Sequence, residues 1–207
     1  STPADLNIPG GLDFRASPDL SSDGLTLFFS QTANLKSPTN LWFTSRKQPG
    51  AKWSAAQKLS PMVNSIANDE DPSLSPDGLS LLFTSNRDGG QGGRDLWVAT
   101  RDNLASKWNQ PMNLGAKVNS QDVDAGGTFV GDNLILFSSS RGANFDIWMT
   151  SRTEPAGEWS QAVRIEGPIN SEWNEKSPSF SNGSLTFISD RPQGRLWNSK
   201  RTPFSKN

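Results

Sequence analysis

The sequence predicts an all-β protein, a β-propeller of four antiparallel, four-stranded blades. The main observation is a short tryptophan motif that returns four times, as NLWFTSR, DLWVATR, DIWMTSR and RLWNSKR. The second is that no stretch shows a sustained apolar period of 3.6 residues, so almost no helix is expected. A unit of about 50 residues that repeats in this way is typical of a propeller blade. The motif tryptophans are Trp42, Trp97, Trp148 and Trp197.

Other markers repeat at the same period, which makes a chance alignment of the four motifs very unlikely. An apolar run precedes each motif, and its phenylalanine recurs as Phe29, Phe83, Phe137 and Phe187. In three units a second tryptophan follows, and an asparagine then follows at constant spacing. These residues are Trp53, Trp108 and Trp159, then Asn64, Asn119 and Asn170.

Each unit is expected to contain four strands in order. A short inner strand, such as 73–75 or 128–130, leads into a two-residue hairpin turn of residues that tolerate positive φ. The second strand is the phenylalanine run, the third carries the motif tryptophan, and the fourth begins at the second tryptophan. The predicted turns are Asp23-Gly24, Asp77-Gly78, Asp132-Asn133 and Asn182-Gly183.

We expect a single domain over 1–207, with repeats at about 17–71, 72–126, 127–177 and 178–207 plus 1–16. The fourth unit lacks a clear last strand. The N-terminal segment carries Leu6-Asn7 where other units have Val-Asn or Ile-Asn. It is therefore predicted to pair with blade four and close the ring. The alternative is that the 207 residues are part of a larger propeller.

The amino-acid composition excludes several functional classes. Basic and acidic residues nearly balance, 20 against 21, so no nucleic-acid partner is expected. There is no Cys, His or Tyr in the chain, which excludes Ser-His-Asp and Cys-His catalysis and thiolate chemistry. We expect no cofactor and no metal. No apolar stretch approaches the roughly 20 residues of a membrane span, so membrane insertion is not expected.

The stretch SPDGLSLLFTSNRDGGQGGRDLWVATR (75–101) resembles the WD-like repeat of the TolB propeller family. The resemblance covers all four units, with departures at 130–133, which replaces SPDG, and at Ala33, which replaces the motif arginine. It implies a binding scaffold, often for other proteins, in the periplasm or outside the cell. TolB-type rings have six blades, so the four units here also depart from that relative.

Charged residues recur in register at two loops that a propeller places on one face. Unit one lacks both repeat residues and offers Asp13 as an acid instead. The set could bind a small polar ligand, a glycan, a cation or a protein side chain, since arginine suits bidentate contact with carboxylate or phosphate. Alternatively, the acids and arginines pair and lock the ring. The candidate residues are Asp69, Asp124 and Glu175 with Arg87, Arg141 and Arg191.

Two sets of aromatic residues are candidates for ligand contact. Trp173 lies outside the repeat pattern, on the same loop as Glu175, and is the best single candidate. The second-tryptophan set, Trp53, Trp108 and Trp159, either packs or offers faces for sugar stacking.

The leading functional hypothesis is a non-catalytic binding or scaffold domain that holds a protein, glycan or small polar ligand at the rim of the central channel. The alternative is a carboxylate-dependent glycosidase or lyase that uses the rim acids. Against it, a catalytic pair needs two unlike environments, and repetition makes environments alike. A third interpretation is a module of a larger envelope protein. The oligomeric state is not predicted.

Overall fold

The computed structural model describes residues 14–34, 36–192 and 196–199. Within these ranges the chain is all-β, without a helix, and forms four antiparallel sheets. Strands follow one another across each sheet in chain order, as in propeller blades. Blades 1 to 3 have four strands, and blade 4 has three described strands. The all-β prediction is confirmed.

The strand bounds repeat from blade to blade. Blade 1 contains β1 (Phe14–Leu20), β2 (Thr26–Thr32), β3 (Asn40–Ser45) and β4 (Gln57–Lys58). Blade 2 contains β5 (Asp69–Leu74), β6 (Ser80–Ser85), β7 (Asp95–Thr100) and β8 (Met112–Asn113). Blade 3 contains β9 (Asp124–Phe129), β10 (Leu134–Ser139), β11 (Asp146–Ser151) and β12 (Val163–Arg164). Blade 4 contains β13 (Glu175–Ser181), β14 (Ser184–Ser189) and β15 (Leu196–Ser199).

Side chains alternate along the second strand of a central blade, so that its two faces pack on the two neighbouring blades. In blade 2, Leu81 and Phe83 pack with Phe28 of blade 1, whereas Leu82 packs with Ile135 of blade 3. The same pattern joins blades 3 and 4. Both faces of a central blade are therefore buried only by stacking, as expected for a repeat architecture.

The four inner strands surround a channel of about 150 Å³. Each has an irregularity, a β-bulge, beside a residue with positive φ: Ser17, Asp71, Gly126 and Ser177. A bulge breaks the alternation of side chains along a strand. The sequence analysis therefore did not detect where the inner strands begin. The inner strands begin at 14, 69, 124 and 175, three residues before the predicted repeat boundaries.

A hydroxyl group from one blade accepts a hydrogen bond from the bulge of the next. The acceptors are Ser30, Thr84 and Ser138, and the donors are the backbone N–H groups of Asp71, Gly126 and Ser177. Blade 4 has Ile188 at the corresponding position, and this side chain is 49% exposed.

Two local predictions were wrong. Only Asn182-Gly183, where both residues have positive φ, is a two-residue hairpin. The turns of blades 1 and 2 span five residues, 21–25 and 75–79, and the positive φ in blade 3 falls on Gly131. The fourth strands are two-residue segments that begin after the second tryptophan rather than at it.

Consecutive blades contact one another through their inner strands, from blade 1 to blade 4. Between the described strands of blades 4 and 1 there is no such contact. Of the predicted closing segment, 1–16, residues 1–13 lie outside the described residues, and Asp13 is among them. The prediction was wrong for 14–16, which belong to β1 of blade 1 rather than to blade 4.

Candidate functional site

The rim acids and arginines form one ion pair in each of blades 2, 3 and 4. In blade 2, Nη2 of Arg87 lies 2.5 Å from Oδ1 of Asp69. The Asp69 carboxylate is fully buried and also accepts hydrogen bonds from Ser65 N, Ser65 Oγ and Ser85 Oγ. Arg87 donates in addition to the carbonyl of Val63. We call each such acid–arginine unit a rim pair.

Blades 3 and 4 repeat this geometry. Arg141 Nη2 lies 2.6 Å from Asp124 Oδ1, and Arg191 Nε lies 3.2 Å from Glu175 Oε1. Both acids are fully buried, and the N–H and hydroxyl groups of Ser120 and Ser171 donate to them. The acids thus begin the inner strands rather than lying in exposed loops, and each is bound to its own blade.

The rim arginines also stack on the core aromatic residues. The Cζ atom of Arg141 lies 4.5 Å from the ring centroid of Trp148, and that of Arg87 lies 4.9 Å from the centroid of Phe83. Side-chain exposure is 13% for Arg87 and 14% for Arg141. Nη1 of these two arginines has no hydrogen-bond partner among the described residues.

Blade 1 has different residues at the rim-pair positions. The strand register places Arg15 opposite Gln31, as it places Asp69 opposite Ser85. Arg15 therefore stands where the other blades have an acid, and Ala33 stands where they have the arginine. The sequence analysis placed the three repeat acids in loops, three residues before the predicted repeat boundaries, and therefore offered Asp13 rather than Arg15 as their counterpart.

The repeat asparagines have a structural role that the sequence analysis did not assign. The amide of Asn64 accepts a hydrogen bond from Leu41 N and donates to the carbonyls of Leu41 and Leu59. Asn119 and Asn170 hold the third strands of blades 2 and 3 in the same way, always across 23 residues. We call these residues clamp asparagines.

Trp173 is 39% exposed, on the loop that leads into blade 4. The Ser171 hydroxyl accepts a hydrogen bond from its backbone N–H, and Asn144 donates to its carbonyl. Its position corresponds to Ala67 and Asp122 in the other loops. The loop backbone is therefore held in place while part of the indole stays open to solvent.

The second-tryptophan set is packed. Arg46, Arg101 and Arg152 lie over Trp53, Trp108 and Trp159, with Cζ 4.4–4.5 Å from the ring centroids. The Nε atoms of these arginines donate to backbone carbonyls in the turns that lead into the second strands. One face of each indole is thus covered by a guanidinium group, which favours packing over sugar stacking for this set.

Two carboxylates line the central channel, those of Asp19 and Asp71. The Ser17 hydroxyl donates to Asp71, and Asp19 accepts a hydrogen bond from Leu74 N at 2.8 Å. Burial raises the pKa of Asp19 to about 6, although the bond from Leu74 opposes that rise. The other channel residues are serines, Thr128, prolines and glycines, so the channel is rich in hydroxyl groups.

No group of three or more acidic, histidine or cysteine side chains in the described part of the chain is placed to hold a metal ion. Among the same residues no helix is long and apolar enough to cross a membrane.

No protein-family model matches the sequence, and no curated protein matches it. Solved structures, in contrast, match the structure of this chain. A TolB-like protein of Agrobacterium tumefaciens aligns over 92% of this chain and 67% of its own, with a TM-score of 0.61 and 16% identity. An α-L-arabinofuranosidase of Lactobacillus brevis aligns over 88% and 70%, with a TM-score of 0.65 and 14% identity.

A puromycin-hydrolysing peptidase of Mycobacterium tuberculosis aligns over 96% of this chain but only 31% of its own, with a TM-score of 0.59 and 16% identity. The fold is thus a β-propeller, similar to that of the TolB-like protein, as the sequence resemblance indicated. At these identities the similarity extends to the fold alone, which binding proteins and hydrolases share.

Proposed function

We propose that this chain is a non-catalytic binding domain whose ligand, a protein, glycan or small polar molecule, is held at the rim of the central channel. One observation carries the proposal. All three rim acids are fully buried and hydrogen-bonded to their own blade. A glycosidase requires carboxyl groups that reach the scissile bond, and these three groups are already occupied.

Within this proposal the rim pairs hold the loops, and neighbouring groups contact the ligand. Trp173 offers an indole surface, and Nη1 of Arg87 and Arg141 offers donors at partly exposed positions. A ligand with a ring face and an anionic or hydroxyl-bearing group would suit this combination.

The variant Trp173→Ala tests the binding role. We expect a thermal-shift screen of oligosaccharides and metabolites to give a ligand that raises the melting temperature of the native chain. Trp173→Ala should lose most of that shift while its own melting temperature changes by less than about 2 °C, because the indole is only partly buried. Ile66→Ala, at a 96% exposed apolar residue on another rim loop, is the control. A ligand that still binds Trp173→Ala would contradict the assignment of Trp173.

The alternative, a carboxylate-dependent hydrolase or lyase, is favoured by one observation away from the rim pairs. Asp19 and Asp71 share the channel, and the raised pKa of Asp19 is what a general acid requires. If the native chain hydrolysed a member of a glycan panel, and both Asp19→Asn and Asp71→Asn lost that activity, the binding proposal would be wrong and the alternative would be supported. Absence of turnover across the panel would support it.

We also propose that residues 1–13 close the four-bladed ring. The face of blade 1 that points away from blade 2 carries Leu27, Phe29 and Trp53, all less than 10% exposed. No described strand of blade 4 contacts blade 1, so another part of the chain is needed to cover this face. Asn7 is the candidate for a fourth clamp asparagine, acting on β15 of blade 4.

The variant Asn7→Ala tests ring closure. If Asn7 is a clamp, its loss should lower the free energy of unfolding by about 2 kcal/mol, since buried backbone groups lose their partners. Asn119→Ala, which removes an observed clamp, is the positive control in the same urea titration. An unchanged stability for Asn7→Ala alone would contradict closure by this segment and favour four blades of a larger ring.

The TolB-like neighbour supports a periplasmic or extracellular location as part of the proposal. Nearly balanced charge supports a protein or carbohydrate partner over nucleic acid.

A further inference from the structure

A cleft of about 500 Å³ opens between blades 1 and 2, away from the rim pairs and the channel. Its wall includes Phe28, Phe43, Leu59, Leu74 and Trp108. The Phe28 ring centroid lies 6.1 Å from that of Phe43 and 6.4 Å from that of Trp108. The volume lies within the usual range for small-molecule sites, and an apolar wall with a few polar groups is their usual composition.

Three wall residues of this cleft differ from their counterparts between blades 2 and 3, where Leu82, Val98 and Phe129 replace Phe28, Phe43 and Leu74. Leu74 corresponds in the inner strand to Phe129 of blade 3. Phe129 packs 6.4 Å from Trp159 and fills the same position between blades 2 and 3. The cleft there, about 420 Å³, is lined by Val98, Leu114 and Trp159 with strand and loop residues around them, and it does not reach Phe129. Between blades 1 and 2 the half-buried Leu74 lines the cleft itself, together with Phe43 and Trp108.

The charged residues that line the cleft are two carboxylates, Asp23 and Asp77, and one cation, Arg101, so their net charge is negative. Asp23 and Asp77 are exposed, and Oδ1 of each accepts hydrogen bonds within its own turn. The second carboxylate oxygen of each has no hydrogen-bond partner among the described residues. Arg101 donates to the carbonyls of Gly78 and Leu104 and lies 4.4 Å above Trp108. It keeps its charge and, like Arg152, interacts electrostatically with Asp77.

We propose that this cleft binds a small cationic aromatic molecule, with its ring against the half-buried side chains of Phe43 and Trp108 and its ammonium group at Asp23 and Asp77. An aromatic ring gains from edge and tilted contacts with these two side chains. An ammonium group matches two carboxylates, and their exposure keeps the cost of desolvation low. An anionic ring compound of the same size would meet like charge at the mouth.

The probe is 2-phenylethylammonium, with 3-phenylpropanoate and ethylammonium as comparison compounds. Binding is followed by NMR at the Trp108 indole N–H resonance, assigned with Trp108→Phe. We expect a dissociation constant on the order of 1 mM for a fragment of this size. The phenylpropanoate should bind at least tenfold more weakly, and ethylammonium should leave the Trp108 resonance unmoved.

Two variants complete the test. Leu74→Phe places a larger side chain in the wall of the cleft and should lower the affinity at least tenfold. The double variant Asp23→Asn, Asp77→Asn changes only exposed side chains, so it should stay folded and lower the affinity at least threefold. Unchanged affinity in either folded variant, tighter binding of the carboxylate, or binding without a shift at Trp108 would overturn the proposal.

Discussion

Arg141→Ala is expected to lower the free energy of unfolding by about 3–5 kcal/mol. Asp124 is fully buried, and Arg141 is the cation that compensates its charge. Removal of one partner from a buried pair leaves a charge in a poorly solvated place, which is the costly case. For a chain of this length the melting temperature should fall by about 10 °C, measured by calorimetry.

Arg94→Ala is the matched control. Its pair with Glu70 has an N–O distance of 3.3 Å, and its side chain is 45% exposed. Solvent screens such a pair, so its loss should cost less than about 1 kcal/mol. Adding Asp124→Asn to Arg141→Ala should restore part of the loss because the buried charge is removed. If Arg141→Ala left stability unchanged but abolished binding at the rim, the arginines would be ligand groups rather than structural ones.

Asp19→Asn is expected to stabilise the protein at pH 8 by about 2 kcal/mol and to change it little at pH 4. Burial raises the pKa of Asp19 from 3.8 to about 6. The folded state therefore binds more protons than the unfolded state between those values, and native stability falls as the pH rises through that window. Asparagine keeps an acceptor for Leu74 N without the charge. Urea unfolding at both pH values gives the difference.

Asp23→Asn is the control for that titration. The hydrogen bonds from Ser21 and Leu25 lower the pKa of Asp23, and the group is exposed. Its replacement should bring no gain in stability at pH 8. If the difference in free energy of unfolding between Asp19→Asn and the native chain were the same at both pH values, Asp19 would not titrate in this range.

Periodicity alone was sufficient to predict the all-β class and the division of the chain into four sheets. The phenylalanine runs lie in the second strands of the four sheets, and the tryptophan motifs lie in the third strands, as expected. The motif tryptophans with described side chains, Trp42, Trp97 and Trp148, pack in the core clusters. Repetition makes this inference strong, because each unit tests the alignment of the others.

The details of the site could not be predicted in the same way. The sequence aligned Asp69 with Arg87 and the equivalent residues, but spacing does not tell whether two charges pair or face solvent. The irregularity beside Asp71 breaks the alternation of side chains along the strand, so alternation could not show that Asp69 is buried. The sequence analysis did not single out Asp19, because the pKa of its carboxyl group depends on burial. It also did not detect the cleft beside Leu74, because that cleft depends on packing between blades that are distant in the sequence.

The hydroxyl groups of Ser30, Thr84 and Ser138 give the stack a direction. Each accepts a hydrogen bond from the blade that follows it, whereas the Ile188 side chain has no acceptor for such a bond. Units one to three therefore carry a connector that unit four lacks, so the units are not interchangeable. An artificial array built from copies of unit two would carry this connector at every junction, whereas an array built from unit four would carry it at none.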